Sequence, residues 1–210
     1  MDFIESKKLI EKYKIKFVEG KTVKNRKELI QAAKKIGFPL TLKVVSKDIS
    51  HKTDAGGVQL NIHTAKQAEE KYALILRNVK KNAPKAVIDG VFVQKFIEGK
   101  QIIIGGKIDS QFGPTILFGL GGIFVELMKD VSIRICPISR EDAKEMISEI
   151  KGYPILKGLR GEKSVNLKEI ENTLMKVNSL MMKEKIKELD INPLIANTKE
   201  VIAVDARVIE

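Results

Sequence analysis

Apolar positions along the chain follow two rhythms. Near the amino end Phe3, Ile4, Leu9, Ile10 and Tyr13 recur at helical spacing. A second helical set, Leu29, Ile30, Ala33 and Ile36, follows Asn25, whose side chain suits an N-cap, and Gly37 and Pro39 end it. The rhythm then changes. PLTLKVVS, Pro39 to Ser46, reads as a strand, and GGVQLNI, Gly56 to Ile62, as its antiparallel return, so the basic stretch between them is a hairpin connection. Thr64 with Gln67 forms a capping-box pattern that opens a helix through Ala68, Tyr72, Ile75 and Val79, stopped by Asn82 and Pro84.

The middle of the chain is β-rich. GVFVQKFIEG, QIIIGGKI, PTILFGL and VSIRICPI are four strand-like runs separated by turn residues. Ser139 then caps a helix through Ala143, Met146 and Ile150, and Asn166 with Glu169 opens another that carries Leu174, Val177 and Leu180. IKELDINPLIA and EVIAVDARV predict two last strands joined by an NTKE turn. The expected fold class is α+β in two lobes, residues 1–93 and residues 94–210, the second built on an antiparallel sheet. Gly90 to Gly99 serves as the hinge, and the cleft between the lobes is where a small ligand is expected.

Composition narrows the setting. With 43% hydrophobic and 31% charged residues, the 210-residue chain has the makings of a soluble globular protein. The longest uncharged stretch, Ser110 to Val125, contains Pro114 and four glycines and falls short of the roughly 20 apolar residues that span a bilayer. The amino end lacks the apolar core of a secretory signal, so a cytoplasmic location away from membranes is expected. The single cysteine, Cys136, excludes an internal disulfide and reads as a small buried hydrophobe. A net charge of +11 calls for an anionic partner: nucleic acid, a membrane surface or a phosphorylated small molecule. Only 5% of the residues are aromatic and the lysines are scattered over helix faces, which argues against nucleic acid.

Three places carry candidate chemistry. Lys43 lies among Leu42, Val44 and Val45, where a cation turned into a cleft requires an anion such as phosphate; an edge-strand lysine facing water is the alternative. In the connection, Gly56 and Gly57 permit close backbone approach, while Lys47, His51 and Lys52 add donors. The loop lacks the spacing of a P-loop, and a lone histidine is more often structural. Near the carboxy end, Asp190 and Asn192 share one side of a strand and Asp205 lies on the next, so Asn192 and Asp205 make a hard-oxygen site suited to Mg²⁺. The alternative makes Asn192 a strand-ending residue before Pro193 and Asp205 a solvated acid paired with Arg207.

In that order these pieces match the ATP-grasp fold. GFPLTLKVVSKDISHKTDAGGVQLNI, VQKFIEGKQIIIGGKIDSQFGP, FGLGGIFVELMKDVSIRICPI, IKGYPILKGLRGE and ELDINPL with VDARV resemble the β subunit of the ADP-forming acetate–CoA ligases over nearly the whole chain. The resemblance implies ATP or ADP with Mg²⁺, and an acid–thiol ligase that turns acyl-CoA, ADP and phosphate into acid, CoA and ATP. An α subunit would hold the acyl-CoA site and a phosphohistidine, in an α₂β₂ assembly, and the β subunit would be inactive alone. It also implies that Lys43 holds nucleotide phosphates and that Ser50, His51, Lys52, Gly56 and Gly57 close over the transferring group, with His51 a second, transient phosphate carrier. Gln94, Lys95, Phe96 and Ile97 would read the adenine edge through their backbone, Glu98 would face the ribose, and Asn192 and Asp205 would bind the metal. Gln101 stands where relatives commonly carry glutamate and is a further nucleotide contact. Glu126 and Arg134 would orient the incoming phosphohistidine loop or phosphate. Two rival expectations are a stand-alone ATP-grasp carboxylate–amine ligase and a basic nucleic-acid-binding module.

Overall fold

A computed structural model describes residues 1–49, 51–122, 130–159 and 161–210. The chain divides into two compact units. One is continuous, Val18–Ile97; the other joins Met1–Phe17 to Glu98–Glu210. This departs from the expected boundary after residue 93 at both ends of the first lobe. Helix α1, Phe3–Lys12, packs with the far end of the chain because its partners are there. Lys12 Nζ and Tyr13 Oη each donate to Glu184 Oε1 at 2.8 Å, Ala203 N donates to Lys16 O at 2.8 Å, and the Met1 amino group donates to Val208 O at 3.1 Å. None of these pairings leaves a local signal in the sequence.

The unit Val18–Ile97 is a four-stranded antiparallel sheet with two helices. Its elements are β1 (Gly20–Val23), α2 (Arg26–Ile36), β2 (Leu40–Val45), β3 (Val58–Ile62), α3 (Ala65–Asn82) and β4 (Gly90–Lys95), with strand order β1-β4-β2-β3. Caps set the helix starts: Asn25 Oδ1 accepts from Glu28 N at 3.0 Å, and Thr64 Oγ1 from Gln67 N at 3.1 Å. The expected β2–β3 hairpin is present, and β4 inserts on the other side of β2. Strand alternation then sorts the side chains. Leu40, Leu42, Val44, Val91 and Val93 pack in one core with Leu29 and Ala33 of α2 and Ala68, Ile75 and Val79 of α3. Thr41, Lys43, Phe92 and Gln94 therefore point to the opposite face.

The second unit is a six-stranded antiparallel sheet. Strands β5 (Lys100–Asp109), β6 (Gly113–Leu120), β7 (Val131–Ile135), β8 (Glu188–Ala196), β9 (Val201–Ala203) and β10 (Arg207–Ile209) run in the order β10-β8-β5-β6-β7, with β9 also on β8. Helices α4 (Arg140–Glu149), α5 (Tyr153–Lys157) and α6 (Leu167–Lys183) complete it. Leu174, Val177, Leu180 and Met181 of α6 are buried. A Cβ added at Gly106 would sit 2.4 Å from Met181 Sδ, so the glycine gives the Met181 side chain of α6 its room against β5. EVIAVDARV, expected as one strand, is two. β9 pairs with Leu194–Ala196 and β10 with Glu188–Asp190, and between them Val204 N donates to Pro193 O at 3.1 Å. Cys136 is buried, and burial pushes its thiol pKa up to about 11. Among the described residues no helix is long and apolar enough to cross a membrane.

Candidate functional site

Lys43 occupies the middle of β2, with β3 on one side and β4 on the other, which rules out the edge-strand alternative. It is 5% exposed and stands opposite Phe92 in register. The neighbouring pair on the same face, Thr41 and Gln94, is 2% exposed at each residue, and Gln94 Oε1 has no hydrogen-bond partner among the described residues. A lysine on this face is suited to an anionic group, and the Gln94 carbonyl oxygen, an acceptor, to a ligand that donates a hydrogen bond.

The connection after β2 is folded back on itself. Ala55 N donates to His51 O at 3.3 Å, Gly56 N to Thr53 O at 2.9 Å, and Gly57 N to Lys52 O at 2.8 Å. His51 is exposed and Lys52 half-buried, whereas Ile49 and Ala55 are buried in the unit's core. The glycines have structural reasons. Gly56 has φ +67°, and a Cβ there would lie 2.8 Å from Asn78 Cβ; one at Gly57 would lie 2.4 Å from Val44 Cγ1. Their close approach is to α3 and β2, which makes the turn an anchored one. Ser50 lies outside the described residues.

At the hinge, two amides expected to read a base are engaged by the fold. Lys95 N donates to Glu19 O at 3.2 Å and Phe96 N to Pro39 O at 3.0 Å, while Lys95 Nζ donates to Phe38 O at 2.7 Å. Ile97 closes the first unit. In the second, Glu98 is exposed and its carbonyl accepts from Asn197 Nδ2 at 3.2 Å. Gln101 is also exposed, and its carbonyl accepts from Gly121 N at 2.8 Å.

The expected metal residues lie on neighbouring stretches where β8 bulges, joined by the Val204 N–Pro193 O hydrogen bond at 3.1 Å. Ile104 pairs with Ile191 and Ile102 with Leu194, so Asn192 and Pro193, joined by a cis peptide, oppose Ile103 alone. Asn192 is exposed there, and Asp205, half-buried between β9 and β10, accepts from Ala206 N at 2.9 Å. Asp190 joins them. Its Oδ1 is buried with no partner among the described residues, and its pKa is raised, first by burial and then by the charges of Asp205 and Glu188, with Arg207 opposing. In register Arg207 faces Asp190. Two carboxylates and an amide, one carboxylate oxygen buried and unsatisfied, form a donor set that fits a hard cation completed by water and phosphate oxygens. Sequence spacing puts Asp190 beside Asn192, but only the burial of its oxygen marks it as part of the cluster.

Arg134 is engaged within its own unit. Its guanidinium grips Glu149 of α4 with both arms, at 2.8 and 2.6 Å, with Glu145 at 3.7 Å, so the fork ties β7 to a helix. Glu126 lies outside the described residues.

Comparison with known proteins extends this geometry. The family model described as an ATP-grasp domain matches residues 1–209. The chain is 45% identical over 207 residues to the β subunit of acetate–CoA ligase [ADP-forming] I from Pyrococcus furiosus, covering 98% of this chain and 89% of that subunit. Dinucleotide forming acetyl-coenzyme A synthetase 1 from Ca. Korarchaeum cryptofilum, solved with coenzyme A, Ca-AMPCP and HgCl⁺, superposes with a TM-score of 0.95 at 41% identity, covering 100% of this chain and 92% of that one. The same enzyme with coenzyme A and Mg-AMPPCP has its phosphohistidine segment pointing towards the nucleotide binding site; its TM-score is 0.84 at 38% identity, with 99% and 91% covered. The chain belongs to the ATP-grasp family, in the branch formed by the β subunits of the ADP-forming acetate–CoA ligases.

Proposed function

We propose that this chain is the nucleotide-binding β subunit of an ADP-forming acyl-CoA synthetase, taking a phosphoryl group from a partner's phosphohistidine and passing it to ADP. The observation that carries this reading is the match, over 98% of this chain and 89% of the relative, to a β subunit of that activity, together with a buried lysine on a central strand of the first unit. In the step itself the N–P bond of the phosphohistidine breaks and a P–O bond forms to the terminal oxygen of ADP. The imidazole nitrogen keeps the electron pair and takes up a proton. In the relayed form His51 attacks first, releases its ring proton on forming an N–P bond, and then gives the phosphoryl group to ADP.

Each chain residue has a defined part. Lys43 neutralises the nucleotide phosphates, and Lys52 faces the charge spread over the moving phosphoryl group. Ile97 N–H and the Phe96 carbonyl read the adenine edge, since the Lys95 and Phe96 amides are already engaged. Gln94 borders that edge, and Glu98 and Gln101 lie on the ribose side. Asp205 and Asn192, with Asp190 beside them, would hold Mg²⁺, which would offset the charge of the phosphates. Gly56 and Gly57 belong to the turn that carries His51, and with Ser50 they would close over the transferring group. The acyl and CoA sites belong to the α partner, in an α₂β₂ assembly in the cytoplasm.

The test is reconstitution. The chain with its α partner, acetyl-CoA, ADP, phosphate and Mg²⁺ should form ATP, and neither chain alone should. ATP formation by this chain alone would refute the subunit reading in favour of a self-sufficient ligase, and His51→Asn at full rate would remove the relay. Native mass measurement of the reconstituted enzyme checks the α₂β₂ stoichiometry.

A further inference from the structure

Helix α3 carries two asparagines four residues apart, Asn78 and Asn82, on one face. Asparagine is a poorer helix former than alanine, so Asn78 in the last turns of a long helix costs stability unless its amide finds work. Both amides do. Asn78 Nδ2 donates to Gly56 O at 3.5 Å, and Asn82 Nδ2 donates to Ala55 O at 3.4 Å.

Those carbonyls belong to consecutive peptide planes, and the N–H on the far side of each plane is also engaged. The plane that offers Gly56 O to Asn78 offers Gly57 N–H to Lys52 O, at 2.8 Å. The plane that offers Ala55 O to Asn82 offers Gly56 N–H to Thr53 O, at 2.9 Å. Each asparagine thus reaches, through one peptide unit, the backbone of a residue next to His51 or one beyond. Gly56 makes the approach feasible, because a Cβ there would collide with Asn78 Cβ at 2.8 Å. Ile49 and Ala55, both in the unit's core, hold the two ends of the same stretch.

We infer that Asn78 and Asn82 are positioning residues for phosphoryl transfer: they clamp two peptide planes of the turn and so set the backbone of Lys52 and Thr53 beside His51. The inference rests on the function proposed above for that turn. Orientation errors of about an ångström at a transfer site cost up to about a hundredfold in rate, which is the scale on which such a clamp acts.

The experiment uses the full chain reconstituted with its α partner and compares wild type with Asn78→Asp, Asn78→Leu and Asn82→Asp. Aspartate keeps the shape of asparagine but has no N–H to donate at neutral pH, and leucine removes the donor without adding charge. The expected result is a fall in kcat of about tenfold or more for each Asn78 variant, with the KM for ADP within about twofold. Amide exchange at Gly56 and Gly57 should quicken in the same variants. Variants that keep kcat within twofold overturn the inference, whatever their exchange rates; so does a loss seen with Asp but not with Leu, which would be a charge effect. A wild-type chain that forms no ATP with its partner removes the function reading and this inference together, whereas an active wild type beside unaffected variants removes the inference alone.

Discussion

Lys43 shows how much a single position can carry. A lysine on a central strand, with β-sheet partners on both sides and 5% exposure, has lost most of its water and gains from any anion that reaches it. In the reconstituted enzyme Lys43→Ala should cost about 3 kcal/mol of barrier, on the order of a hundredfold in kcat/KM for ADP. Steady-state rates near wild type would take this lysine out of the chemistry. The residue itself is legible in the sequence, as a lysine among Leu42, Val44 and Val45. Its central position is not, because β4, the strand that covers it, comes from about fifty residues downstream. Asp190 shows the same limit, since nothing in ELDINPL says which oxygen will be left without a donor.

At the scale of elements, the Arg134–Glu149 pair joins an edge strand to a helix. Its two short hydrogen bonds, with Ser132 as a third partner of Glu149, hold the Glu149 pKa below its ordinary 4.5, the guanidinium first and the hydroxyl second. A carboxyl depressed in the folded state contributes stability above its unfolded pKa and loses it as the pH falls through the folded one. Arg134→Leu should therefore lower stability at pH 7 by about 1 kcal/mol, a modest figure because both groups are partly solvated, or about 3 °C in Tm. The gap should close as the pH drops below 4.5. Thermal melts across that range check it, and a gap independent of pH would assign the loss to packing.

Most elements can be read from the chain alone because their signals are local. Asn25, Thr64, Ser139 and Asn166 all cap the helices they are expected to start. What stays hidden is short or non-local. β1, with only GKTV to display, is recognisable through its pairing with β4, and α5 is five residues long. The break at Asp205 follows from β8, whose bulge sends β9 and β10 to different stretches of the same neighbour. The turn after β2 reads as a loop free to close, and its anchoring by two asparagines on a later helix has no counterpart in its own residues.

For the molecule as a whole, nucleotide binding should appear as thermal protection. A ligand that binds only the folded state adds about 2.7 kcal/mol at a hundred times its Kd, which for a chain of 210 residues is about 5–10 °C in Tm. ADP with Mg²⁺ should produce that shift in the wild-type chain, and Asp205→Asn should lose the part of it that depends on Mg²⁺. An equal shift in the variant, with and without the metal, would move the cation site elsewhere.

The discontinuous unit also dictates an order of events during synthesis. Residues 18–97 are contiguous, so their sheet and helices can close while later codons are still being read. The first helix has no such option. It is made before that unit, yet two of its lasting partners, Glu184 and Val208, are made well after the unit is complete. Translation thus leaves an amphipathic segment unpartnered until residues 184–208 arrive, and chaperone demand should centre on that interval.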